Sequence, residues 1–351
     1  MPSIIDADTH VDECESTWQS LEAAASRYIP TTITPDAGSS IPEGMDPQRS
    51  RWWLVEGRLS ARAVRDEIHH PVRARRELDD IEGRLRDMDG MDVDVQVIFP
   101  TFFIRYGNSN LETEANLTWA YNRWLAERCA LSDGRLRWTV VLPLSDVDAA
   151  VSELRWAKEN GACGIFKRGF DLNKPSDDPC FFPIYEEAAS LNLPVCIHTG
   201  HPLPGQEWDR GYPVMSAFMS IVSSGLPTQF PDLRFGFIEA GASWVPYAIS
   251  QLQARQRSDR LHERAEAFRM HKDLFREDRL FVAIDPVDQI EHLLDFGMED
   301  NLMIGTDYCH SDQSAHLAAL KEVENWVSEG RISSDIATKI LETNARHFYD
   351  L

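Results

Sequence analysis

No apolar run in this chain of 351 residues approaches the roughly 20 needed to span a bilayer as a helix, so no membrane span is expected. Positive charge is also scarce. Asp and Glu number 57 against 35 Lys and Arg, for a net charge of −22. Nucleic acids and anionic membranes recruit proteins through clustered cations, so neither is expected as a partner. An anionic ligand would need a local positive site, such as a metal ion or a few Arg and Lys residues. The six cysteines, Cys14, Cys129, Cys163, Cys180, Cys196 and Cys309, are scattered and never spaced C-x-x-C. That excludes a disulfide scaffold and points to a reducing, cytoplasmic setting. Cys163 and Cys196 lie in strand-like runs and read as small core residues. The first residues carry neither the basic region nor the apolar stretch of a secretory signal, in keeping with a cytoplasmic location.

What is present is a core and a rhythm. Apolar residues make up 43% of the chain, enough for a substantial interior. Eight short β-rich runs recur: 3–10, 93–101, 136–144, 162–168, 193–200, 233–241, 280–287 and 301–308. Several end in Pro or Gly, as buried parallel strands do. Helical periodicity fills the intervals. Leu78, Ile81, Leu85 and Met88 form one stripe, and Leu117, Tyr121, Trp124 and Leu125 another. The run 147–160 is followed by Gly161, a suitable C-cap. Strand–helix alternation repeated eight times predicts an α/β fold, a (β/α)8 TIM barrel, as a single domain over 1–351.

The interval 11–73 is out of scale. It holds PTTITPDAGSSIPEGMDPQRS, rich in Pro, Gly and Ser, and then RWWLVEGRLS, which suits a hairpin. It reads as an insertion after strand one, lying over the barrel mouth. The acidic helix 74–90 reads as a solvated outer face.

Chemistry in a TIM barrel sits at the C-terminal strand ends. Strand one carries Asp6, Asp8 and His10 in alternation, hence on one side. Strand four ends in Lys167 and Arg168, strand five in His198, strand six in Glu239 and strand eight in Asp307, with His310 beyond. Asp8, His10, His198 and Asp307 are the ligand types of one divalent metal ion. Two nitrogens and two carboxylates suit Zn²⁺, with Mn²⁺ or Fe²⁺ as alternatives. A buried strand of ionisable groups makes sense if such a cation shares them.

The D-x-H of strand one, the His of IHTG and the Asp of GTDY resemble the amidohydrolase superfamily. The closer likeness is to its aminocarboxymuconate-semialdehyde decarboxylase-like branch. RLRDMDGMDVDVQVIFPT, AYNRWLAE, DPCFFPIYEEAASLNLPVCIHTG and ILETNARHFYDL carry it over nearly the whole chain. The resemblance implies a single metal, zinc or manganese, a proton-handling role for Asp307, and a homodimer. Two positions depart from the pattern. The first ligand is Asp8, where His or Glu is common. Glu239 stands where strand six usually presents a histidine.

The leading expectation is therefore hydrolysis of an amide, ester or lactone in a small molecule by a metal-activated water, with Asp307 moving the proton. Glu239 would be a second proton carrier or would orient a ligand histidine. The alternative is non-oxidative decarboxylation of an aromatic or unsaturated acid. Lys167, Arg168, Arg105, His201 and His310 are the candidate substrate contacts.

Overall fold

Eight parallel strands lie side by side in chain order: β1 (Ile5–His10), β2 (Val95–Phe99), β3 (Leu136–Val141), β4 (Ala162–Arg168), β5 (Val195–His198), β6 (Phe235–Ile238), β7 (Leu280–Ile284) and β8 (Leu302–Ile304). All eight coincide with the runs expected from the sequence. The computed structural model describes residues 3–21, 23–33, 51–62, 71–106, 110–200, 211–257, 271, 273–311 and 315–351.

The sheet closes just past the end of β8. Thr9 bridges Tyr308 in parallel, His10 N–H donates to Tyr308 O at 2.9 Å, and Asp307 N–H donates to Asp8 O at 2.9 Å. This closure demands Gly305. A Cβ there would lie 2.4 Å from Asp8 Cβ, so a side chain would force β1 away from β8. Strands covered on both faces are buried throughout, which is why they read as short apolar runs and not as alternations.

Helices α1 (Ile81–Gly90), α2 (Leu111–Ala130), α3 (Val147–Glu159) and α4 (Phe182–Ser190) pack around the first half. Asp80, Asn110 and Asp146 cap the first three by accepting from Gly83, Glu112 and Ala149 N–H. Gly161 takes φ +90° just past α3, as its expected capping role requires. The closing motif ends in a helix, Asn344–Tyr349, lodged against the strands. The Tyr349 hydroxyl donates to Ala7 O at 2.8 Å, and Phe348 fills the space beside Gly236.

Helix α1 is less solvated than its acidity suggests. Arg84 is fully buried and donates to Gln96 Oε1, His10 O and Thr9 Oγ1. Its guanidinium also lies 4.6 Å from the Tyr308 ring centroid. It ties helix, β1 and the β8 turn together.

In the insertion, Thr31–Ile33, Arg51–Val55 and Arg58–Arg62 form a three-stranded antiparallel sheet. The expected hairpin turns at Glu56 and Gly57, both with positive φ, the tight turn that matches strand twist. Trp53 sets its edge against Trp18 and Phe102, with centroids 6.2 and 6.1 Å away. Residues 34–50 and 63–70 of the insertion lie outside the described residues. No helix among those described is long and apolar enough to cross a membrane.

Candidate metal centre

The strand ends bring five of the expected side chains to one place. His10 Nε2 lies 3.5 Å from Asp8 Oδ1, 3.3 Å from Glu239 Oε2 and 3.4 Å from Asp307 Oδ1. His198 Nε2 lies 3.7 Å from Asp8 Oδ1 and 3.0 Å from Glu239 Oε2. Among the described residues two sets of potential ligand atoms result, each within 4.8 Å: Asp8, His10, His198 and Glu239, and then His10, Glu239, Asp307 and His310. All of these side chains are nearly or fully buried.

The imidazoles are fixed from behind. His10 Nδ1 faces Pro100 O at 3.0 Å and His198 Nδ1 faces Thr199 O at 2.8 Å. A carbonyl can only accept, so each Nδ1 carries the proton and each Nε2 of a neutral ring presents a lone pair. Those lone pairs point at carboxylate oxygens. Among the described residues, His10 Nε2, His198 Nε2 and Asp8 Oδ1 make no hydrogen bond. Acceptors converging on acceptors repel unless a cation sits among them, and a divalent metal fits this donor set.

Without a metal, protons take that place. Burial opposes charge on His10, yet Asp8, Glu239 and Asp307 outweigh it and push its imidazole well above the ordinary range. His198 is driven the same way, to about 9, against burial and chiefly by Glu239 and Asp8. Burial would raise Asp8 and Glu239, but the two imidazoles hold both carboxyls below their usual range.

Two of the carboxylates stand on left-handed backbone, which is a strain for Glu239 and well tolerated by Asp307. Glu239 has φ +54° and Asp307 φ +52°, a left-handed conformation that residues other than Gly, Asn and Asp seldom adopt. Asp288 anchors the turn after β6, accepting from Ala242 N–H, Ser243 Oγ and Asp285 N–H at 2.6–2.8 Å. Asp307 Oδ1 meets His310 Nδ1 at 2.7 Å. The His310 ring stacks on that of His10 with centroids 3.9 Å apart, and its Nε2 reaches Thr101 Oγ1 at 2.8 Å.

Asp6 does not join the cluster. Its carboxylate accepts from Thr306 N–H and Oγ1 and pins the β8 turn. Burial pushes it up to about 7, against those hydrogen bonds. Lys167 and Arg168 are both engaged with Asp171. Lys167 Nζ lies 3.3 Å from Asp171 Oδ2, and Arg168 Nε donates to Asp171 Oδ1 at 2.7 Å. Arg168 also donates to Tyr106 O. Arg105 is exposed on the helix Phe102–Arg105. His201 lies outside the described residues. Trp244 packs on Phe218 and Phe237.

Sequence reasoning missed Arg84, Asp171, Asp288 and Glu13. Glu13 is buried and accepts from Thr101 and Phe102 N–H, beside the residue that holds His310. A signal existed for Asp171 alone, a carboxylate three residues past a Lys-Arg pair. The others act across distant loops that spacing does not connect.

The family model for amidohydrolases matches residues 5–351. The chain is 25% identical over 253 residues to gamma-resorcylate decarboxylase of Rhizobium sp. strain MTP-10005, covering 66% of this chain and 75% of that one. It is 28% identical over 186 residues to 2-amino-3-carboxymuconate-6-semialdehyde decarboxylase of Dictyostelium discoideum, covering 50% of this chain and 51% of that one. Among solved structures it is similar to amidohydrolase map2389c from Mycobacterium avium subsp. paratuberculosis K-10, with TM-score 0.78, 18% identity, and coverage of 100% and 98%. The last of these likenesses concerns the fold.

Proposed function

Because the chain belongs to the amidohydrolase family, in its aminocarboxymuconate-semialdehyde decarboxylase-like branch, we propose that it is a metal-dependent decarboxylase of a small aromatic or unsaturated carboxylic acid. The observation that carries a metal-dependent reading is the pair of buried Nε2 lone pairs aimed at carboxylates. The names of the related enzymes favour decarboxylation over the hydrolysis expected first.

A divalent cation held by Asp8, His10, His198 and Asp307 would supply Lewis acidity to anchor an anionic oxygen of the substrate. Zn²⁺, Mn²⁺ and Fe²⁺ all suit these donors. Protonated Asp307, oriented by His310, gives its proton to the carbon that bears the carboxylate. The bond to the carboxylate carbon breaks, its electron pair stays with the ring or alkene carbon, and carbon dioxide leaves. Asp307 then regains a proton from solvent. Phe103, Tyr106, Leu142 and Phe166 line a small cleft together with Lys167, Arg168 and Asp171, so its wall is part apolar and part charged. The Phe166 ring lies 5.5 Å from that of His198, so one wall residue of the cleft borders the cluster. The proposal takes the substrate to be a free small molecule and the protein a homodimer in a cytoplasmic setting; light scattering on the purified protein checks the dimer.

Hydrolysis of an uncharged amide, ester or lactone is the second reading. A third carboxylate, Glu239, in the cluster, and the engagement of Lys167 and Arg168 by Asp171, favour a substrate without negative charge. Metal-loaded protein assayed against hydroxybenzoates and unsaturated diacids should release carbon dioxide. Activity confined to esters or lactones would establish the second reading in place of the first.

A further inference from the structure

We infer that Glu239 is itself a ligand of the metal, so that strand six contributes an anionic donor and the ion has more than four protein ligands. This rests on the metal-dependent reading above. The expectation from sequence placed Glu239 beside the metal as a proton carrier or as an orienting group. The distances place it among the ligands. With metal–ligand bonds of roughly 2.0–2.2 Å, donors on neighbouring corners of a coordination polyhedron lie roughly 3.0–3.5 Å apart. Glu239 Oε2 is 3.0 Å from His198 Nε2 and 3.3 Å from His10 Nε2. Asp8 Oδ1, an expected ligand, is farther from both, at 3.7 and 3.5 Å.

An orienting role fits less well. A residue that orients a ligand histidine does so at the nitrogen facing away from the metal. Here that nitrogen is taken in both rings, by Pro100 O and Thr199 O. Glu239 instead faces Nε2, the coordinating nitrogen of each ring. These two nitrogens belong to fully buried side chains and make no hydrogen bond among the described residues. The ion they call for therefore lies within reach of Glu239 as well.

The consequence is a change of chemistry. Asp8 and Glu239 with the two imidazoles form one set of mutually close donors, and Asp307, close to His10 and Glu239 in the second set, adds a fifth donor and a third carboxylate oxygen. Zn²⁺ sites are usually built on four ligands, whereas an oxygen-rich set of five or six suits Mn²⁺ or Fe²⁺. The three carboxylates also outweigh the charge of a divalent ion, so the site as a whole is anionic when all are ionised.

The test is Co²⁺ substitution of the full-length protein, read by visible absorption, with affinity from chelator competition. The wild type should show the weak bands of a five- or six-coordinate ion. Glu239→Gln should intensify them towards the four-coordinate pattern and weaken binding at least about 100-fold, the upper end for a change outside the ligand shell. Glu239→His exchanges one ligand for another and covers the case in which the amide variant does not fold. It should retain Co²⁺ with shifted bands. Unchanged bands and affinity in either folded variant would overturn the inference and leave the metal-dependent reading intact. A wild-type protein that binds no Co²⁺, Mn²⁺ or Zn²⁺ would overturn both.

Discussion

Asp307 Oδ1 and His310 Nδ1 stand 2.7 Å apart at the end of β8, and the His310 ring lies stacked on His10. The contact fixes the carboxylate that faces the cluster, while Thr101 fixes the imidazole from its other side. We therefore propose that His310 is a positioning residue for Asp307. His310→Gln should lower turnover by about 10–100-fold, the usual scale for losing an orienting partner. KM should change little. Equal loss of kcat and of metal affinity, restored together by excess metal, would instead make His310 part of the metal site.

Asp307→Asn should lower turnover at least about 10²-fold, the lower end for a lost acid–base group. The protein should keep most of its metal, because an amide oxygen still coordinates weakly while it carries no proton. Elemental analysis of the purified variant, set beside its rate, separates the two effects. A variant with near-normal rate would remove Asp307 from proton transfer.

The barrel was legible in the chain because parallel strands buried on both faces must be short, apolar and β-rich, and helices must separate them. The clustering of ionisable groups at the strand ends was legible for a related reason. Groups at C-terminal strand ends share one rim, so Asp8, His10, His198 and Glu239 meet in one set, and Asp307 joins His10 and Glu239 in a second, without any knowledge of loops. Loops hid the rest. Asp6 alternates with Asp8 and His10 yet serves the β8 turn, since Thr306 offers it two donors. Lys167 and Arg168 look like substrate cations until the chain doubles back and places Asp171 between them. Arg84 sits on a helix read as solvated, because helical periodicity counts apolar residues and passes over a guanidinium bonded to backbone.

Asp171 has a structural role that can be measured. Burial would raise its carboxyl, but Arg168 and Lys167 hold it below the usual carboxylate range. Asp171→Asn leaves two cations poorly compensated, one of them fully buried, and should cost about 3–5 kcal/mol in urea unfolding at pH 7. The wild-type contribution has a definite sign. A depressed carboxyl adds stability above its unfolded value of about 3.9, and that stability is lost as pH falls through the lower folded value. The gap between wild type and variant should therefore close only in strong acid. A gap that already changes between pH 7 and pH 5 would contradict the ion pairing.

Glu13 has the opposite sign. Burial pushes its carboxyl up to about 7, although Phe102 and Thr101 N–H donate to it and favour the ionised form. Between the unfolded value of about 4.3 and the folded value, the native state holds a proton that the unfolded state has released. Its contribution to stability is thus fully present below about pH 4.3 and is lost as pH rises through about 7. Glu13→Gln keeps an oxygen that accepts a backbone N–H and removes the titration. Relative to this variant, the wild type should lose stability steadily from pH 4.5 to pH 7, by about 2–4 kcal/mol in all, at about 1.4 kcal/mol per pH unit. Urea midpoints for both proteins across that range give the difference directly. Parallel curves would mean that Glu13 is ionised throughout, its two backbone donors having outweighed its burial.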